Sequence, residues 1–228
     1  LQVFGDFAGG GLHLAYGVVC ALFEAQRSGK GQVVDAAMVD GVMSIFQVFY
    51  GMTRGGFHTG PTGTNLFDGG SPFYNVYETA DSKYVTVAPI EAKFYAQLLE
   101  KLGLDPATLP DQNDMSGWPE IRARFAEVFR TKTRDEWDAI LEGTDCCYAP
   151  VLSFAEAERH PHNVARGSFV PVDGSQPQLR PMPRLSRTPG EVGTTYAYPG
   201  CDTETVLGEM GLDATEIAAL SESGVVRW

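Results

Sequence analysis

Near the start of the chain, Gly5-Asp6-Phe7-Ala8-Gly9-Gly10-Gly11 places one carboxylate among four glycines, directly before the apolar run Leu12 to Phe23. Glycines let the backbone take unusual dihedrals and let a ligand approach closely. The apolar run predicts a helix, with the glycines at its N-terminus. Free N–H groups and a partial positive charge gather at such an end and favour an anion. A base and an anion-stabilising pocket would then lie together. The simpler reading is that Asp6 caps the helix and the glycines are close-packing positions, and the motif taken alone favours it. The stretch is not the G-x-G-x-x-G dinucleotide pattern and lacks the lysine of a P-loop.

With 228 residues the chain can form one large or two small domains, and 43% hydrophobic residues supply a core. The formal net charge of −12, from 17 basic and 29 acidic residues, argues against nucleic acid or an anionic membrane as a main partner. No apolar stretch reads as long enough to span a bilayer. No signal-peptide pattern opens the chain, and no peroxisomal tripeptide ends it. The four cysteines, with Cys146 and Cys147 adjacent, read as thiols of a reducing compartment, so the expected location is cytoplasmic. The chain begins with Leu1 and runs at once into a packed element, so it reads as a piece of a longer protein with part of the machinery upstream.

Leu12 to Arg27 is apolar on nearly every face, which predicts a helix buried on most sides, stopped by Ser28-Gly29-Lys30-Gly31 with Gly29 as the left-handed C-cap. Gln32 to Asp35 reads as a short strand, and Ala37 to about Tyr50 as a second helix. This order belongs to an α/β layer, so 1–56 is expected to be the last piece of a larger parallel-sheet domain. Residues 57–72 fall in a Gly-rich stretch and read as a linker. Residues 73–152 read as a small α+β domain. Phe73 to Glu78 and Tyr84 to Pro89 flank a hairpin turn, Ala92 to Leu102, Pro119 to Arg130 and Thr133 to Leu141 are helices, and Tyr148 to Leu152 is a strand. Residues 153–228 read as a return segment. It holds a strand within Asn163 to Asp173, an extended run from Gln176 to Pro189, and two closing helices, one capped by Asp202 and one begun by Asp213 with Glu216.

Three segments together resemble the class III CoA-transferase family, and its α-methylacyl-CoA racemase branch in particular. The first is Gly5 to Gly11, continuing through Ser28-Gly29-Lys30-Gly31-Gln32-Val33-Val34-Asp35-Ala36-Ala37-Met38-Val39-Asp40-Gly41. The second is Asp68-Gly69-Gly70-Ser71-Pro72-Phe73-Tyr74, leading to Ile90-Glu91-Ala92-Lys93-Phe94-Tyr95. The third is Thr144-Asp145-Cys146-Cys147-Tyr148-Ala149-Pro150-Val151-Leu152, followed by His160-Pro161-His162-Asn163.

The resemblance implies an α/β fold: a truncated Rossmann-like large domain of CoA-transferase family III plus the small α+β domain. It implies a 1,1-proton transfer on the carbon beside a CoA thioester, through an enolate, with an acyl-CoA as substrate and no cofactor, since coenzyme A is part of that substrate. Asp6 matches the family's catalytic Asp, and Glu91 matches the Glu that orients the catalytic His. That His lies upstream of the Asp in the family, and His13, His58, His160 and His162 do not match it. Met38 matches a substrate-lining position, Ile90 neighbours the site through Glu91, and Gly9 and Gly10 are the expected backbone donors to the enolate oxygen. Family members form interlocked homodimers, so Asp6 and Glu91 are expected to meet across subunits.

Beside the resemblance, a free Asp has a pKa of about 3.9 and is a weak base, so Phe7 and Leu12 are expected to bury Asp6 and raise it. Met43 and Met52 read as core methionines, Asp68-Gly69-Gly70 as a turn before the hairpin, and Cys146-Cys147 as an apolar approach to a strand. His160-Pro161-His162 reads as a surface turn, with no metal site. Two rivals stand beside the racemase. One is a CoA-transferase in which Asp6 is a nucleophile; that branch places a glycine-rich loop where this chain has Ala88-Pro89-Ile90-Glu91-Ala92. The other is a scaffold or dimerisation half with no catalysis of its own.

Overall fold

The computed structural model describes residues 2–58, 60–172, 176–193 and 198–227. It mixes helix and sheet and divides into two compact units, Leu1–Val151 and Leu152–Trp228.

The first unit opens with a π-helical segment, Val3–Leu12, that runs without a break into α1, His13–Ser28. Gly29 closes α1 in the left-handed region (φ 72°), where only glycine is unstrained. The expected strand at Gln32 to Asp35 is not formed. These residues are irregular, and Val33 is 93% exposed. β-branched residues make a strand only where a neighbour takes up their backbone hydrogen bonds, and no described strand lies beside them. The expected second helix is two helices, α2 (Met38–Ile45) and α3 (Gln47–Arg54), broken at Phe46.

Two further expectations for this end are corrected. α1 is not buried on most sides: Val19, Leu22 and Phe23 are each at least 60% exposed. Neighbours that close on this helical stretch include α2 and Phe46, against the π segment, and Val34, against Gly17. The chain also does hold an apolar helix long enough to cross a membrane. Because the π segment and α1 are continuous, the helix covers Val3–Ser28, 26 residues with mean hydropathy 1.3. The glycines, read as a helix start, concealed that length.

The core of this unit lies between Phe73 and Cys146. Strands β1 (Asn75–Glu78), β2 (Tyr84–Val87) and β3 (Tyr148–Val151) form an antiparallel sheet in that order, with Tyr77 opposite Val85 and Val85 opposite Pro150. Alternation sends Val85 and Val87 inward and leaves Tyr84 and Thr86 partly or largely exposed. Helices α4 (Ala92–Leu102), α5 (Trp118–Phe129) and α6 (Arg134–Leu141) supply the rest of the core through Leu98, Leu99, Ile121, Phe125 and Trp137. Phe129 stacks on Tyr77 at 5.0 Å and meets Trp137 edge-on at 5.2 Å. The buried indoles donate to main-chain carbonyls, Trp118 to Gln112 (2.9 Å) and Trp137 to Phe129 (2.8 Å), so neither polar atom is stranded.

The second unit contains α7 (Phe154–Arg159), α8 (Pro161–Ala165), the short hairpin β4 (Phe169–Val170) with β5 (Gln178–Leu179), α9 (Thr203–Glu209) and α10 (Ala214–Glu222). The strand expected within Asn163 to Asp173 is β4; Asp173 itself lies outside the described residues. Asp213 and Glu216 form the expected capping box. Asp202 does not cap α9: its backbone (φ −102°, ψ 1°) is not in the extended conformation from which a carboxylate reaches the N2 and N3 amides.

Candidate active site

Asp6 lies in the first turn of the π segment and is exposed. The expected wall around it is absent, because Phe7 and Leu12 are themselves 64% and 67% exposed. The expected row of free N–H groups at Gly9 to Gly11 is also corrected. The helix begins upstream of them, and in π geometry each N–H turns to the carbonyl five residues back. The backbone agrees: Cβ positions built on Gly9, Gly10 and Gly11 would lie 3.0, 3.5 and 3.5 Å from the carbonyl oxygens of Phe4, Gly5 and Asp6. His13, one turn on, is tied by Nδ1 to the carbonyl of Ala8 at 2.8 Å.

The glycines have a packing role that the sequence does not state. Gly9 and Gly41 are both buried where the π segment crosses α2. A Cβ on Gly41 would lie 1.9 Å from the Gly9 carbonyl oxygen, and one on Gly9 would lie 2.8 Å from Val42 Cγ2. Met38 reaches the next position, where its Cγ is 3.0 Å from a Cβ built on Gly10. Three residues singled out from the sequence, Gly9, Gly10 and Met38, are thus neighbours.

Glu91 is the N-cap residue of α4. Its carbonyl accepts from Phe94 and Tyr95 (both 3.0 Å), but its exposed side chain makes no capping bond. Ile90 is fixed through its backbone: its N–H donates to Ala88 (2.9 Å), and its carbonyl accepts from Gln112 Nε2 (2.9 Å). Nearby, Cys147 holds a left-handed backbone (φ 50°). Its thiol is pushed above its ordinary pKa by burial, and further by the charges of Glu91 and Asp145. All four cysteines are free thiols. No hydrogen bond or ion pair joins Asp6 to Glu91 among the described residues.

A groove of the first unit involves none of these residues. It measures about 930 Å³ and is lined by Met43, Phe46, Phe49, Tyr50, His58 and Phe67, with Asp68 at its polar margin. An aromatic series runs along it: Phe46 to Phe49 (5.5 Å), Phe49 to Phe67 (6.1 Å) and Phe67 to Tyr74 (5.0 Å). Met43, expected in the core, is 60% exposed on this groove, because the core gathers elsewhere. Asp68 is a turn residue, as expected. Its carboxylate accepts from the backbone N–H (2.7 Å) and Nδ2 (2.6 Å) of buried Asn65, which holds its pKa below the ordinary carboxylate value. The signal for the groove was present in the i, i+3, i+4 spacing of Phe46, Phe49 and Tyr50. Among the described residues no three His, Cys, Asp or Glu side chains are grouped to hold a metal ion.

The chain is 45% identical over 229 residues to an alpha-methylacyl-CoA racemase of Mus musculus, and 41% identical over 227 residues to one of Homo sapiens. Each match takes in 99% of this chain but only 60% and 59% of the relative, so the chain spans about three-fifths of their length. A CAIB/BAIF family protein from Brucella suis has a solved structure of the same fold, at TM-score 0.68 and 20% identity, over 91% of this chain and 55% of that one. The model of CoA-transferase family III matches residues 2–205, nearly the whole chain, and the chain belongs to that family.

Proposed function

We propose that the protein is an α-methylacyl-CoA racemase: an isomerase that moves a proton between the two faces of the α-carbon of a 2-methylacyl-CoA thioester. The likeness to named racemases along nearly the whole chain carries this reading. Asp6 takes the proton on one face, an enolate forms, and an opposing base returns a proton from the other face; for the other epimer the two exchange roles. Glu91 orients the opposing base, a His that no histidine of this chain matches, so that base comes from chain the relatives hold beyond the matched part. The truncated Rossmann-like domain and the interlocked homodimer, with Asp6 of one subunit facing Glu91 of the other, belong to the same reading.

Two structural facts shape the chemistry. A weak base on an exposed turn needs burial to work near neutrality, so further chain has to close over Asp6, Phe7 and Leu12. The Gly9 to Gly11 amides face carbonyls of their own helix, so the donors for the enolate oxygen lie outside that run. The exposed Met38 beside Gly10 offers an adaptable wall for an acyl chain. The transferase reading is weaker, because Ala88 to Ala92 contains no glycine loop. The test is to incubate the full-length protein separately with each pure epimer of a 2-methylacyl-CoA. Both should drift to the same mixture of epimers; two epimers that each stay unchanged would overturn the proposal.

A further inference from the structure

The second unit carries a charge cluster that proton transfer does not use. Arg166, Arg180 and Arg184, all exposed, line one surface cavity of about 250 Å³ together with Pro181, Pro189 and Gly190. Each outer guanidinium is held by the turn between α8 and β4. Arg180 Nε donates to the Gly167 carbonyl at 2.6 Å. Arg184 donates through Nη1 to the Arg166 carbonyl and through Nη2 to Ser168 Oγ at 3.5 Å. Gly167 (φ 56°) brings its backbone beneath Arg180, whose Nη2 lies 3.2 Å from a Cβ built on that glycine. A Cβ on Gly190 would lie 2.8 Å from Pro181 Cβ, so these two lining residues pack closely.

Three like charges on one small cavity repel one another and favour a counter-charge. Among the described residues no carboxylate pairs with Arg166, Arg180 or Arg184, although the chain as a whole carries −12. Glu191, next to the cavity in sequence, makes no ion pair with them. Partial desolvation first, and then the charges of Arg166 and Arg180, lower the pKa of Arg184. Arg130, by contrast, has a carboxylate partner in Glu78 at 2.9 Å. Guanidinium groups anchored by one edge and open on the other match the oxygens of a tetrahedral anion bidentately.

We propose that Arg166, Arg180 and Arg184 form a phosphate-binding site that takes a phosphate monoester or free phosphate into this cavity. The proposal stands apart from the racemase reading and needs neither Asp6 nor Glu91. It is tested by titration calorimetry of the full-length protein at low ionic strength with inorganic phosphate, coenzyme A and dephospho-coenzyme A. Phosphate should bind at a single site, and Arg180→Ala or Arg184→Ala should each weaken it about tenfold, the loss of one charge-assisted bond. Arg27→Ala, on α1 and far in sequence, should leave it unchanged. If coenzyme A binds more tightly than dephospho-coenzyme A, and only while the three arginines are intact, the natural occupant is its 3′-phosphate. If the two bind alike, it is another phosphate. Arg180→Lys and Arg184→Lys keep the charge and lose the fork, so they should show intermediate affinity with unchanged circular dichroism. Undetectable phosphate binding by the unmodified protein, or equal binding by the double alanine variant, would overturn the proposal.

Discussion

Gly41 lies so close to Gly9 that a Cβ on Gly41 would stand 1.9 Å from the Gly9 carbonyl oxygen. The crossing of the π segment and α2 is therefore backbone against backbone, and it places Met38 beside Gly10. Gly41→Ala should force the two elements apart and lower stability by about 1–3 kcal/mol, as overpacking does. Gly31→Ala is the control, since a Cβ there meets nothing within 4 Å. Urea melts of the two variants check this, and equal midpoints would show that the crossing is not as tight as described.

The core of the first unit should be far less forgiving. Trp137 is 1% exposed, packs edge-on to Phe129 and donates to its carbonyl. Trp137→Ala should cost about 3–5 kcal/mol, and Trp137→Phe less, because it loses the hydrogen bond but keeps most of the packing. Denaturant unfolding followed by circular dichroism measures both.

The Asn65–Asp68 turn should open in acid. Asp68 has a lowered pKa in the folded chain, first because Asn65 donates to it. Its contribution is therefore present above the unfolded value of about 3.9 and is lost as pH falls through the lower folded value. Amide exchange of Gly60 and Gly70, which bond to Asn65, should accelerate over that acidic window. In Asp68→Asn the acceleration should vanish; an unaltered pH profile in that variant would remove Asp68 from the explanation.

Cys147 reports on Glu91. Its thiol is raised in pKa by burial first and by the Glu91 charge next. Alkylation by iodoacetamide, followed by peptide mass mapping, should be slow near pH 8, where little thiolate is present. Glu91→Gln should shift the midpoint of the rate profile to lower pH. An identical profile would mean that the Glu91 carboxylate is not near the thiol.

Local rules made part of this fold readable in advance. The β1–β2 hairpin, α4 with Gly103 at its left-handed C-cap, and the Asp213–Glu216 box each rest on residues near in sequence. What went unread depends on partners. Gln32 to Asp35 has strand chemistry but no described strand beside it, and Gly9 is helix interior where its backbone packs on Gly41. α7 was legible and overlooked: Ser153 and Glu156 form a capping box, the same signal that located α10. In the candidate site, Glu91 and Met38 are singled out only by the resemblance, and Asp6 by the resemblance together with its glycine-rich surroundings. The aromatic groove is only half legible: the spacing of Phe46, Phe49 and Tyr50 marks one wall, but the other comes from the turn around Asn65.

Racemisation and acyl transfer part company at the α-proton. The decisive measurement is deuterium uptake by a 2-methylacyl-CoA incubated in heavy water with the full-length protein, with and without hydroxylamine. If Asp6 is a base, deuterium enters the α-position from either epimer, no acid acceptor is required, and hydroxylamine changes nothing. Asp6→Asn then abolishes inversion, while exchange of one epimer can persist through the opposing base. The 228-residue chain alone should show no turnover. Turnover that hydroxylamine stops, with no deuterium at the α-carbon, would mark Asp6 as a nucleophile and contradict the racemase assignment.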